Sequence, residues 1–164
     1  LWSNTRVDGF ASCYVPFHGG ALRVEATFDD VKNEGLLPFI VKDGFFSFDI
    51  PMPFDGTPRH SKAFFPESSG VVYAFVDGML LTKRVSPTAK SLVHPTHSAV
   101  ELFQHVSGTA SCIAELEFHG PFTTLAPGQE VSMNETWILR RYEGAGDPAG
   151  QRQSLKPLTL STGD

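Results

Sequence analysis

Residues 99–119, AVELFQHVSGTASCIAELEFH, decide the fold. Successive side chains of a strand point to opposite faces. In the first half Val100, Leu102, Gln104 and Val106 therefore share one face, and Glu101, Phe103 and His105 share the other. In the second half Ala114, Leu116 and Phe118 oppose Glu115, Glu117 and His119. Ser107-Gly108 supplies a turn between the halves, so the stretch reads as a hairpin. Burying both apolar sets together sets Val100 against Phe118 and Leu102 against Leu116. A slip of one residue would turn carboxylates into the core. The same register brings Glu101 opposite Glu117 and Phe103 opposite Glu115, with His105 and His119 on that polar face. Facing like charges are unfavourable unless solvated or paired with cations. Crowded carboxylates are expected to raise one another's pKa, which would yield a general acid or base near neutral pH. The bland alternative is a half-exposed strand pair with a solvated face.

The same kind of pattern extends in both directions. Strands are predicted at Phe10–Phe17, Ala21–Phe28, Leu37–Lys42, Phe45–Ile50, His60–Phe65, Val71–Val76, Met79–Val85 and Glu130–Tyr142. Asp43-Gly44 and Asp77-Gly78 separate two pairs of these strands, a strong tight-hairpin signal. The prolines of Pro51–Pro58 enforce an irregular segment, 29–35 reads as a polar loop or a single helical turn, and Ser86–Thr96 reads as a loop. No amphipathic helix is apparent. The expectation is an all-β, antiparallel β-sandwich over 1–142, followed by a flexible or surface-lying tail over 143–164.

Composition narrows the function classes. Among 164 residues the net charge is −5, and no Lys/Arg-rich block interrupts it. That argues against a nucleic-acid partner or an anionic membrane surface. No apolar run is long enough to span a bilayer. Cys13 and Cys112 are too few for a disulfide framework and read as two small apolar thiols. The chain opens at Leu1 and moves directly into strand-like sequence, which suggests processing or truncation there.

Other polar groups carry weaker signals. Arg59-His60-Ser61-Lys62 is a compact cluster that could offer donors to sugar hydroxyls or mark an exposed strand start. His94-Pro95-Thr96-His97 holds two histidines three apart, but in a loop, so it reads as surface. Lys83-Arg84 could balance the acidic face, but reads rather as a solubilising feature of an edge strand. Trp2 is a candidate for stacking on sugar rings, whereas Trp137 reads as core. The His and Glu spacing matches no metal-ligand motif, and no phosphate loop, nucleophile elbow or Cys-x-x-Cys pair occurs. Neither a metal nor a cofactor is expected.

The run ELEFHGPFTTLAPGQE at 115–130, followed by ETWIL at 135–139, resembles the C-terminal part of galactose-mutarotase-like (aldose epimerase-like) proteins, closest to a bacterial branch. LWS at 1–3, the segment 58–62, YAF at 73–75 with LLTKR at 80–84, and SAVELF at 98–103 follow in the same order. The resemblance implies a supersandwich whose concave face binds sugars, either whole or in part. It also implies that a second chain or an N-terminal half completes the sandwich. Aldose epimerases of the superfamily open and close a sugar ring with a Glu base and a His acid and no cofactor. The base would fall on Glu117 or Glu115, and His60 holds the acid's place by position alone.

Three functions remain open at this stage. One is a noncatalytic carbohydrate-binding module using Glu101, Phe103, His105, Arg59, Lys62 and His119, with Phe103 as the exposed stacking ring. The second is an epimerase-like isomerase, and the third an accessory domain of a polysaccharide-processing enzyme. A fold alone does not decide among them.

Overall fold

The computed structural model describes residues 1–26, 35–108 and 112–160, with side chains as far as 158. Two antiparallel sheets pack face to face. The first contains β1 (Trp2–Asp8), β3 (Arg23–Glu25), β4 (Gly35–Leu36), β7 (Arg59–Phe65), β10 (Val100–Val106) and β11 (Ile113–His119). Its order is β1-β11-β10-β7-β3, and β4 adds a two-residue parallel pairing to β7. The second contains β2 (Ser12–Pro16), β5 (Phe39–Lys42), β6 (Phe45–Phe48), β8 (Val71–Val76), β9 (Met79–Val85) and β12 (Glu135–Arg141), in the order β12-β9-β8-β2-β6-β5. The architecture is an all-β antiparallel sandwich.

The register of β10 on β11 is the one that alternation dictates: Val100 opposite Phe118, Glu101 opposite Glu117, Leu102 opposite Leu116 and Phe103 opposite Glu115. Between the sheets lie Val100, Leu102, Val106, Ala114, Leu116 and Phe118 from the first, with Cys13, Val15, Phe46, Val72, Ala74 and Leu81 from the second. Both Asp-Gly pairs form tight turns with left-handed backbone at each central residue, Asp43 at φ 56° and Gly44 at 81°, Asp77 at 50° and Gly78 at 70°. This geometry matches the twist of the flanking strands.

Several expectations are corrected. The final strand is shorter than Glu130–Tyr142, beginning at Glu135. A 13-residue helix, α1 (Pro148–Leu160), stands where the sequence reading found none. It lies over the outer face of the second sheet, where Leu155 is fully buried in a second cluster with Tyr14, Phe45, Val71, Tyr73 and Phe75. Tyr14 Oη donates to Gln151 Oε1 at 2.7 Å. Arg152 and Lys156 reach Asp43 in the β5–β6 turn at 3.3 and 3.5 Å. Trp137 is 56% exposed rather than core. Lys83, expected to solubilise an edge, is wholly buried. Its ammonium donates to Thr5 Oγ1 at 2.7 Å and to the Leu116 carbonyl at 3.3 Å, and it meets Glu135 at 3.4 Å. Burial pulls the Lys83 pKa down, and Glu135 opposes that shift without cancelling it. Cys13 and Cys112 form no disulfide, and burial pushes the Cys13 pKa up to about 12. The expected loop with a helical turn at 29–35 lies mostly outside the described residues, as does the end of the Ala21–Phe28 strand. No helix among the described residues is long and apolar enough to cross a membrane.

Candidate functional site

Alternation exports one set of side chains from the core to the outer face of the first sheet. β10 contributes Glu101, Phe103 and His105, and β11 contributes Glu115, Glu117 and His119. The even-numbered residues of β7, His60 and Lys62, lie on the same side, because Ala63 and Phe65 belong to the inter-sheet core. β1 brings Trp2 opposite His119 and Arg6 opposite Glu115.

Four of these residues converge. Lys62 stands opposite Phe103 in the β7–β10 register. Its Nζ reaches 2.7 Å from Glu101 Oε2 and 2.8 Å from Glu117 Oε1, so one ammonium bridges both carboxylates. His119 Nε2 lies 3.3 Å from Glu101 Oε2 and 3.6 Å from Glu117 Oε2. The Trp2 indole donates to Glu117 Oε2 at 2.8 Å, and the Ser98 backbone N–H donates to Glu101 Oε1 at 2.8 Å. Glu101 is completely buried and Glu117 nearly so.

The loop between β9 and β10 closes over this cluster. A single 3₁₀ turn, Lys90–Leu92, leads into it, and the Leu92 carbonyl accepts from the Phe122 N–H at 2.8 Å. Arg23 donates to the Thr96 carbonyl at 2.9 Å. The loop thereby sets His97 Nδ1 3.0 Å from Glu101 Oε1 and stacks the His97 ring on His119, with centroids 4.3 Å apart. His94 meets the Phe122 ring edge-on at 4.5 Å. Together these groups line a pocket of about 470 Å³ with Trp2, Lys62, Glu117 and His119 in its wall. Trp2 and Phe122 are 60% and 65% exposed and flank it.

The electrostatics run opposite to the expectation of acids raising one another. Burial pushes the Glu101 carboxyl up, but His119, Lys62 and the Ser98 N–H outweigh it and hold the pKa at about 2. Burial also raises Glu117, and His119 and Lys62 again prevail, so it too lies below the ordinary carboxylate range. In return the two carboxylates overcome the burial penalty on His119 and on Lys62 and raise both pKa values. Two carboxylates thus face an ammonium and an imidazole whose protonated form they favour. The contacts are short but off-axis: Glu101 Oε2, Glu117 Oε1 and His119 Nε2 are enclosed without an aligned hydrogen-bond partner.

The remaining candidates fall elsewhere. Glu115 pairs with Arg6 at 2.9 Å and stands outside the pocket lining. His60 is buried beside Phe103 and His105, with ring centroids 6.2 and 6.5 Å away, and it too lies outside the lining. Phe103, expected as an exposed stacking ring, is only 7% exposed, with Lys62 and Glu115 as its cross-strand neighbours and the His60 ring beside it. Arg59 falls on the opposite strand parity from His60 and Lys62 and forms a two-point pair with Asp55 at 2.9 and 2.7 Å. Sequence reasoning missed His94, His97 and Phe122 as wall residues. The histidine spacing was visible, but nothing local revealed which sheet face the loop would cover.

These features define an antiparallel β-sandwich domain with a polar, aromatic-flanked pocket on the outer face of one sheet. The chain belongs to the family described as a domain of unknown function, DUF4380, whose family model matches residues 1–140. No curated protein and no solved structure matches the chain.

Proposed function

We propose that this domain binds carbohydrate in the pocket formed by Trp2, Lys62, His97, Glu117, His119 and Phe122. The observation that carries this reading is the pairing of exposed aromatic rings with a buried floor of carboxylate, ammonium and imidazole groups. A sugar offers apolar C–H faces and a rim of hydroxyl groups. Trp2 and Phe122 supply flat apolar surface for the former. Glu117, Lys62 and His119 supply an acceptor and two donors for the latter. The resemblance of 115–139 to galactose-mutarotase-like proteins implies the same ligand class.

A second reading, epimerase-like proton transfer, is favoured by one observation: Glu117 Oε2 and His119 Nε2 lie 3.6 Å apart at the same pocket. In that chemistry Glu117 would take the C1 hydroxyl proton and His119 would protonate the ring oxygen. The depressed Glu117 pKa makes it a weak base, while the raised His119 pKa suits an acid. This imbalance places binding ahead of catalysis.

Calorimetric titration with a panel of mono- and oligosaccharides tests the proposal. At least one should give a saturable signal that Trp2→Ala and Glu117→Gln each weaken. No heat at millimolar sugar across the panel would overturn it. Exchange between anomers, followed by NMR on any sugar that binds, separates the two readings. Acceleration lost in His119→Gln establishes the isomerase, and an unchanged rate leaves the binding module.

A further inference from the structure

We propose that His97, Glu101 and His119 form a site for one divalent transition-metal ion of the zinc class at the base of the pocket. Each residue offers a ligand atom, and the three atoms lie within 4.8 Å of one another. Two contacts are closer still, His97 Nδ1 to Glu101 Oε1 at 3.0 Å and His119 Nε2 to Glu101 Oε2 at 3.3 Å. Metal bonds of about 2.0–2.1 Å to nitrogen and oxygen set neighbouring ligands of a tetrahedron roughly 3.3 Å apart. The ligand atoms therefore already stand near the separation that a small cation requires, and the exposed His97 ring has to turn off its stack on His119 to aim its lone pair at the ion.

A second observation points to a missing ligand. Glu101 Oε2 and His119 Nε2 are buried and face each other at 3.3 Å; Lys62 Nζ stands 2.7 Å from the carboxylate oxygen, but neither atom has an aligned hydrogen bond. Buried polar atoms are rarely left in that condition. A cation accepts lone pairs without the angular demand of a hydrogen bond, so it satisfies both at once. The donor set selects the metal: two imidazoles and one carboxylate suit zinc-like ions, whereas calcium and magnesium prefer all-oxygen shells. The Ser98 N–H on Glu101 Oε1 fixes the carboxylate orientation, as polar neighbours of metal ligands commonly do.

In the metal-bound site a neutral His119 gives its Nε2 lone pair to the ion, while Lys62 stays with Glu117 at 2.8 Å. Three protein ligands leave a coordination position open toward the pocket, where Trp2 and Phe122 would hold a bound molecule. The inference needs no sugar, so its test is independent of the carbohydrate reading.

The experiment is titration of the chelator-stripped full chain with Zn²⁺ by calorimetry in buffers of different ionisation enthalpy, alongside Co²⁺ absorption spectroscopy. One ion per chain should bind with release of protons, and Co²⁺ should show the visible bands of a tetrahedral site. His97 sits on an exposed loop, so His97→Ala should fold, with its metal-free melting temperature lowered only by the loss of its Glu101 and His119 contacts. Its affinity for Zn²⁺ should fall about tenfold or more. His119→Gln should weaken binding comparably, and if that variant fails to fold, His97→Ala decides. Absence of stoichiometric Zn²⁺ binding, or binding undiminished in His97→Ala, would overturn the proposal.

Discussion

Lys62 is the residue on which the candidate site depends. It is the cation shared by two carboxylates that the pleat would otherwise set face to face. Removing one partner from a buried ion pair typically costs about 3–5 kcal/mol, because the orphaned charge stays buried. Lys62→Met should lower unfolding free energy by about that amount in denaturant titration, and adding Glu117→Gln should restore part of it. The pH dependence has two limbs. Glu101 has its pKa depressed from 4.5 to about 2, so its contribution is present above 4.5 and fades as pH falls toward 2. His119 has its pKa raised above 6.5, so its contribution is complete below 6.5 and fades as pH climbs through the folded value. Denaturant midpoints should therefore be highest between 4.5 and 6.5 for this network. His119→Gln should flatten the alkaline decline and leave the acid limb in place. The acids themselves were legible from alternation in 99–119. Their neutralisation was not, because Lys62 reaches them from a strand 39 residues upstream of Glu101 whose pairing partner no local pattern names.

Among the elements, β8 carried a signal that the strand reading did not use. Val71–Val76 is apolar at every position, so both of its faces must be covered. One face meets the first sheet and the other meets α1. The helix start was also written in the sequence. Asp147 accepts from the Ala149 and Gly150 N–H groups at 2.9 Å each, with Pro148 at the first helical position. That is the N-cap and N1 arrangement that frees a helix from unsatisfied amides. The Gly, Ser, Gln and Pro content of 143–164 masked it, since such composition matches a mobile tail as well as a helix held by one buried leucine. Asp147→Ala should cost about 0.5–2 kcal/mol. Leu155→Ala should cost about 2–5 kcal/mol by opening a cavity against Tyr14 and Tyr73. Helix-specific loss of ellipticity below the global transition checks both.

At the level of the whole molecule, the sandwich divides its labour between faces. The inter-sheet core holds the two sheets, α1 covers the outer face of one, and the outer face of the other carries the pocket. The sheets and two Asp-Gly hairpins were readable because alternation and turn chemistry are local. The pocket wall was not, because His94, His97 and Phe122 arrive on loops whose course is set by long-range contacts such as Phe122 N–H to the Leu92 carbonyl. The central claim is that sugars enter beside Trp2, and the two indoles of the chain make it directly measurable. Trp2 Nε1–H donates to Glu117 in the pocket, while Trp137 Nε1–H donates to Glu135 at 2.9 Å, outside the pocket lining. In a proton–nitrogen correlation spectrum recorded during sugar titration, the Trp2 indole resonance should shift saturably while that of Trp137 stays still. A stationary Trp2 resonance at saturating sugar, or equal movement of both indoles, would contradict the account.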